Sequence, residues 1–144
     1  MGLTQLPQVG GVVLDEVRVR RVANQSIPSG GAGTNITWDT EDADASGFIT
    51  VPSTTFTVPA GKGGVYTITT SGAFPSSVGS ARAFLNLSAA GKTYRAPYGN
   101  GDDNANVGVT VRLAAADTVI VAAFQSSGGP LNFTGSFEMF RLFP

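Results

Sequence analysis

The sequence predicts an all-β domain, an antiparallel two-sheet sandwich or jelly roll of about eight to ten strands. Three observations predict this fold class. Short runs of alternating apolar and polar residues recur along the 144 residues, turn residues (19 Gly and 8 Pro) separate them, and no apolar run keeps a helical period beyond a single turn. This length suits one domain with a single core, and an apolar fraction of 42% excludes a disordered chain.

The composition excludes most catalytic chemistries and several classes of partner. Charged residues make up 13% of the chain and the net charge is -1, so we expect neither nucleic-acid binding nor attraction to an anionic membrane. No apolar run reaches the roughly 18 residues of a membrane span. The chain has no His and no Cys, which removes the commonest general base, the thiolate nucleophile and the usual transition-metal ligands.

Acid–base chemistry by paired carboxylates is the one catalytic class that this composition leaves open. Such pairs cleave glycosides when two acids face each other across a sugar cleft. The acids of this chain instead cluster in predicted loops, at residues 39–44 and 100–106. We therefore expect a protein that is not an enzyme and that holds no cofactor and no metal.

The N-terminal residues predict an arm outside the main core. Gly and Pro interrupt residues 1–14 without a sustained period, so residues 1–15 are interpreted as an arm that docks on a partner, and residues 16–144 as the domain. From Glu16 the pattern EVRVRRVA alternates and then slips register to Val22, as a strand with a β-bulge does. Its arginines suit the solvated face of an edge strand better than a nucleic-acid surface, because no second basic cluster supports them.

Residues 24–46 predict a loop, a strand and an acidic loop in that order. Gly, Pro and Ser mark residues 24–33 as a loop, and residues 34–39 then place Ile36 and Trp38 on one strand face. The following segment concentrates four acids, and it lacks the Gly and the closing Glu of an EF-hand. We interpret it as a solvated acidic loop whose carboxylates are Asp39, Glu41, Asp42 and Asp44.

The middle of the chain carries the densest β pattern. Residues 47–74 contain two short β runs, a Pro/Gly turn at residues 59–64 and a strand over residues 65–71. A strand over residues 80–88 follows, in which Phe84 lies on the polar side and needs cover of its own. A turn at residues 89–92 leads into a strand at residues 93–98, and residues 106–113 alternate cleanly as a half-buried strand.

The last two predicted strands are apolar on both faces, which is unexpected for a small sandwich with wet outer surfaces. Residues 118–124 read TVIVAAF, and the phenylalanines of residues 133–143 lie on both faces of the predicted strand. A partner that covers the second face would explain this pattern, so we predict a tight homo-oligomer. The predicted contact and core residues are Tyr66, Ile68, Val121, Phe124, Phe137, Met139, Phe140 and Phe143.

Short motifs in chain order resemble the C1q/TNF-like jelly-roll family over about residues 18–142. The chain departs from the family pattern at Ile68, where an aromatic residue is usual, and at Ala116, where Gly is usual, and two extra residues precede Gly64. The matching motifs are NQSIPS at residues 24–29, Trp38 with Asp44, Phe56 with Pro59 and GVY at residues 64–66, Leu113 with Asp117 and Val119, and FTGSF at residues 133–137.

The resemblance implies a trimeric jelly roll and a structural role. Short, Cys-free, Thr/Gly-rich versions of this domain are similar to the trimeric heads and decorations of bacteriophage particles. The expected function is therefore a non-enzymatic virion structural protein, a capsid decoration or minor tail protein on the particle surface. Its partners would be two further copies and other virion proteins, the latter through residues 1–15. This step passes from fold to role by analogy.

A second function stays open, namely a receptor- or carbohydrate-binding head of a tail fibre or of another C1q-like adhesion module. Tyrosine rings beside amide and carboxylate groups suit sugars, because a ring stacks on the sugar and the polar groups bind its hydroxyls. The alternative role for the same tyrosines is ordinary strand packing. The candidate ligand residues are Tyr94, Tyr98, Asn100, Asp102 and Asp103.

Overall fold

The computed structural model describes residues 15–74, 82–98 and 104–144, which form ten β-strands. Five of them make sheet A, with bounds β1 Glu16–Ile27, β3 Thr40–Ala43, β5 Gly64–Ala73, β8 Asn104–Leu113 and β10 Leu131–Phe143. The other five make sheet B, with bounds β2 Thr34–Asn35, β4 Thr55–Thr57, β6 Ala83–Ala89, β7 Lys92–Pro97 and β9 Thr118–Gln125.

Both sheets are antiparallel. The strand order is β3-β1-β10-β5-β8 in sheet A and β2-β9-β6-β7 in sheet B, where β4 also pairs with β9. The predicted all-β, two-sheet sandwich is therefore confirmed. In the described part of the chain, no helix has the length and apolar character that crossing a membrane requires.

Alternation along the strands places one face of each sheet in the core. In β5, every second residue from Gly64 onward is buried while most of the residues between them are half-buried or exposed, and β6 shows the same period. An aromatic cluster joins the sheets at the centre. The rings of Phe56 on β4 and Phe137 on β10 stack with centroids 3.9 Å apart, and Trp38 lies 6.2 and 5.9 Å from them.

At two positions the backbone conformation or a close contact favours glycine, which has no side chain. The hairpin between β6 and β7 turns at Ala90 and Gly91, whose φ angles of 49° and 71° match the twist of a tight two-residue turn. At the start of β5, a Cβ on Gly64 would lie 2.1 Å from the carbonyl oxygen of Phe143. Only glycine lets the first residue of β5 approach the end of β10 this closely.

Strand β1 is longer than predicted. It contains a β-bulge whose backbone N–H groups donate hydrogen bonds to a side chain, so the strand continues beyond the bulge. The register with β10 shifts between Arg21 and Gln25, and residues 24–27, predicted as loop, stay in the strand. The Asp39 carboxylate accepts hydrogen bonds from the backbone N–H groups of Val22 and Ala23, each at 3.0 Å. These donors would otherwise have no partner at the bulge.

The segment around Trp38 also differs from the prediction. The expected strand over residues 34–39 is reduced to the two residues of β2, and Trp38 makes only an isolated bridge to Ser53. The predicted acidic loop contains a strand instead, since Thr40–Ala43 form β3 and pair with β1. Fully buried Ile36 and Trp38 keep their predicted place in the core.

The acids of this segment bind the protein itself. The Asp42 carboxylate accepts hydrogen bonds from Nε and one Nη of Arg20, both at 2.7 Å. The Asp44 carboxylate accepts hydrogen bonds from the backbone N–H groups of residues 47, 48 and 49, at 2.9 Å each. Within residues 15–74, 82–98 and 104–144, no group of three potential ligand side chains is placed to hold a metal ion.

Candidate functional site

Five of the eight residues predicted to lie in the contact between copies or in the core are core residues. They are fully or almost fully buried between the two sheets of one chain, and they are Tyr66, Ile68, Val121, Phe137 and Met139. A neighbouring copy has no access to them in this arrangement. A contact with another copy would have to use the other three, Phe124, Phe140 and Phe143, and the surfaces around them.

The sandwich is open along one edge. Strands β7 and β8 are the last strands of sheets B and A, and four of their core-facing side chains are only partly covered. We call this strip the open edge, and its residues are Tyr94, Ala96, Val109 and Val111. Such an apolar strip on a small sandwich is suited to burial by another protein surface.

A second apolar surface lies on the outer face of sheet A. Phe143 pairs with Val65 and Phe140 pairs with Thr67, so these side chains point away from the core-facing Tyr66. Phe143 is 63% exposed and Phe140 is half-buried. We call Val65, Phe140 and Phe143 the sheet A patch.

One buried ionic cluster fixes the start of β1. The carboxylate of Asp15 accepts hydrogen bonds from Lys62 Nζ at 2.7 Å, Ser46 Oγ at 2.7 Å and Arg141 Nη1 at 2.9 Å. Arg141 also donates to the carbonyl oxygen of Gly63 at 2.7 Å. This Asp15 clasp joins the first described residue to the turn before β5 and to the end of β10.

Opposing effects set the ionisation of Asp15. Burial by itself would raise the pKa of its carboxyl group, but the hydrogen bonds from Lys62, Ser46 and Arg141, together with the Lys62 charge, outweigh that effect and lower the pKa to about 2. The carboxylate is thus ionised at neutral pH, and it has the two cations that a buried charge requires.

The outer face of sheet B carries a small cleft. Phe84 on β6 and Phe124 on β9 are direct cross-strand partners whose rings stack with centroids 5.6 Å apart. The Arg95 guanidinium lies 4.7 Å from the Phe84 centroid, and its Nε donates to Asn86 Oδ1 at 2.8 Å. The sheet B cleft has a volume of about 240 Å³ and is lined by Gly31, Ala32, Phe84, Asn86, Arg95 and Phe124.

The predicted ligand tyrosines are packed against the protein. Tyr98 is buried, with its ring 5.1 Å from that of Phe74, and burial raises the pKa of its hydroxyl. Tyr94 is half-buried at the open edge and packs against the core. The other predicted ligand residues, Asn100, Asp102 and Asp103, lie outside the described residues.

Sequence reasoning missed Arg95 and Asn86 as neighbours of an aromatic pair. One signal for the sheet B cleft was present, since Phe84 stood on the polar side of its strand without an evident cover. The pairing of Phe84 with Phe124, however, follows from the register of β6 and β9, and the sequence does not state that register.

Solved structures with the same architecture include proteins of animals and of a phage. The globular domain of zebrafish complement 1qA has a TM-score of 0.68 at 18% identity, over 90% of this chain and 98% of that one. The PRD1 vertex protein P5 has a TM-score of 0.72 at 14% identity, over 92% and 99%. Murine APRIL has a TM-score of 0.58 at 11% identity, over 90% and 99%.

These similarities show the fold, a C1q/TNF-like jelly roll, and the resemblance stated from the sequence is confirmed. Neither a protein-family model nor a curated protein matches the sequence. The function therefore has to be argued from the surfaces of this chain.

Proposed function

We propose that this chain is a non-enzymatic structural protein displayed as a homotrimer on the surface of a phage particle, as a capsid decoration or minor tail protein. The observation that carries the proposal is the likeness to the PRD1 vertex protein P5, which extends over 92% of this chain and 99% of that one. The trimer is implied by the C1q/TNF-like resemblance. The two unpaired apolar surfaces of the sandwich support it independently.

In the trimer, the open edge of one copy packs on the sheet A patch of the next. A closed ring of three uses two different surfaces of each copy, and this chain offers two. The open edge supplies half-buried Val109 and Val111, and the sheet A patch supplies Phe143, exposed by 63%. Burial of these side chains is the main driving force for association.

Residues 1–15 dock the trimer on the particle. The Asp15 clasp fixes the last residue of this arm beside Lys62 and Arg141. The described chain therefore begins at the end of the sandwich where Phe143 lies next to Gly64. Each trimer would present three arms to the capsid or tail.

Antibody labelling of a particle from the source of this chain tests the proposal. We expect gold-labelled antibody to decorate the outer surface of the capsid or tail. Removing residues 1–14 while keeping Asp15 should abolish incorporation into particles and leave the trimer mass unchanged. A particle without label would contradict the virion role, and unchanged incorporation of the shortened chain would contradict docking by the arm.

The second function, a receptor- or carbohydrate-binding head, is supported by a different observation. The sheet B cleft combines aromatic rings with a guanidinium and an amide, and it lies on the sheet opposite to the sheet A patch. A displayed trimer can carry such a site on each copy. Binding of the trimer to host surface glycans, absent for a trimer with the cleft altered, is the expected result in a cell-binding assay.

A further inference from the structure

We infer that the sheet B cleft binds a sugar ring that bears a carboxylate, such as a uronic or sialic acid residue. The inference rests on the second function proposed above and assigns it a site and a ligand class. It requires neither Tyr94 nor Tyr98, the tyrosines that the sequence offers for sugar binding. Its support comes from the orientation of Arg95, from the charge of sheet B and from the shape of the cleft.

Arg95 is held in an orientation that suits carboxylate recognition. Its Nε donates to Asn86 at 2.8 Å and its plane lies over Phe84, so two contacts fix the guanidinium. Its two terminal nitrogens make no hydrogen bond to the described residues, and no acid among those residues pairs with it. A carboxylate can accept two parallel hydrogen bonds from such a fork, and a fixed fork loses little entropy on binding.

The surrounding sheet favours an anion. Strands β6, β7 and β9 contain no Asp and no Glu, whereas β7 contributes Lys92 and Arg95. The formal charge of these three strands is therefore positive, although the chain as a whole has a net charge of -1. An anionic ligand is attracted to this face and meets no like charge on the three strands.

The shape of the cleft favours a single ring over a peptide. Its volume of about 240 Å³ is small for a ligand pocket, and Phe124 and Phe84 provide an apolar surface of two adjacent rings. The C–H face of a pyranose can stack on Phe124 while its carboxylate reaches Arg95, and Asn86 offers its amide nitrogen to a hydroxyl. A carboxylate at the tip of a flexible peptide side chain would reach Arg95 but leave the aromatic surface uncovered.

Titration of the ¹⁵N-labelled full chain with small saccharides tests the inference. The probes are D-glucuronic acid and N-acetylneuraminic acid, with D-glucose, acetate and a short peptide ending in Glu as comparisons. We expect the two acidic sugars to shift the amide resonances of Phe84, Asn86, Arg95 and Phe124. Their affinity should exceed that of glucose and of acetate by about tenfold or more, the effect of one well-formed charged contact.

Variants separate this site from general charge attraction. Arg95→Gln should weaken glucuronic acid binding about tenfold, Arg95→Lys should recover only part of it, and Phe124→Leu should weaken it by a few fold. Lys92→Gln is the matched control, because it removes a cation of the same strand outside the cleft lining, and its affinity should stay within about twofold.

Several outcomes would overturn the inference. Equal affinity for glucose would remove the role of Arg95, and equal affinity for acetate would remove the role of the ring. An effect of Lys92→Gln as large as that of Arg95→Gln would show unspecific charge attraction, and stronger shifts with the peptide would assign the cleft to a protein partner. The mass of the same sample is measured in parallel, so a trimer without sugar binding refutes the site and leaves the virion role standing.

Discussion

The two sheets share one core but differ on their outer faces. The five ion pairs of the described residues all involve β1, β3, β10 or the segments next to them, on the side of sheet A. Strands β6, β7 and β9 of sheet B carry no acid, and their outer face presents an aromatic pair under Arg95. Charged side chains of sheet A thus pair with one another and fix segments of the chain. On sheet B, Arg95 has no acidic partner among the described residues.

This difference shows that ion pairs of similar geometry serve different purposes. The Asp15 side chain is 8% exposed and binds two cations, whereas the partners Arg20 and Asp42 are 50% and 38% exposed. A buried carboxylate that loses its partners is costly, whereas an exposed pair exchanges one polar contact for water. The comparison predicts unequal effects for substitutions that look alike in sequence.

The largest effect is expected where the two sheets meet. Phe137→Ala removes a fully buried ring that stacks on Phe56 and contacts Trp38, and it should lower the free energy of unfolding by about 3–5 kcal/mol. Urea unfolding at fixed protein concentration measures it. Val22→Ala, at a side chain 55% exposed, is the control and should change the stability by less than about 0.5 kcal/mol.

The Asp15 clasp should give the next largest effect, and it should depend on pH. The pKa of Asp15 is about 2 in the folded protein against 3.8 for the free side chain, so the folded state binds the proton more weakly. The resulting stability is fully present above pH 3.8 and is lost as the pH falls from 3.8 towards 2. Asp15→Asn should therefore cost about 2 kcal/mol at pH 7 and little at pH 2.

Unfolding free energies of the wild type and Asp15→Asn, measured from pH 7 down to pH 2, check this prediction. A difference between the two proteins that stays constant over the whole range would show that the clasp does not depend on the charge of Asp15. Ser46→Ala removes the uncharged donor among the groups that bind this carboxylate, and it should have a smaller effect of about 1 kcal/mol.

The exposed pair on sheet A should give the smallest effect. Asp42→Asn removes the partner of Arg20 on the solvent side, and we expect no measurable change in the unfolding midpoint at physiological salt. The same variant is the acid-to-amide control for Asp15→Asn. If Asp42→Asn lowered the stability as much as Asp15→Asn, burial would not determine how much an ion pair of this sheet contributes.

The sequence predicted the parts of the fold that depend on local pattern. Alternation located β5 and β8 and placed Ile36 and Trp38 in the core, and runs that are apolar on both faces located β9 and β10. Alternation failed where a side chain binds a backbone segment distant in sequence, since the hydrogen bonds that the β1 bulge donates to Asp39 leave no periodic signal. The acidic composition of residues 40–43 predicts a loop, yet pairing with β1 makes this segment a strand.

The surfaces were harder to predict than the fold, because they depend on register and on long-range contacts. Doubly apolar β9 suggested a partner for Phe124, and the chain itself supplies one in Phe84. The clasp joins residues 15, 46, 62 and 141, which no short motif connects. Of the eight residues predicted as contact or core residues, five lie in the core, and alternation alone does not say which apolar face of a strand points inward.

Sedimentation equilibrium of the full chain at micromolar concentration determines whether three copies associate. We expect the mass of three chains, and we expect Phe143→Glu in the sheet A patch to weaken association by about tenfold or more, because it buries a charge. Val22→Glu, at another exposed apolar side chain of sheet A, should leave the mass at three chains. A stable single-chain mass for the wild type would contradict the proposed trimer.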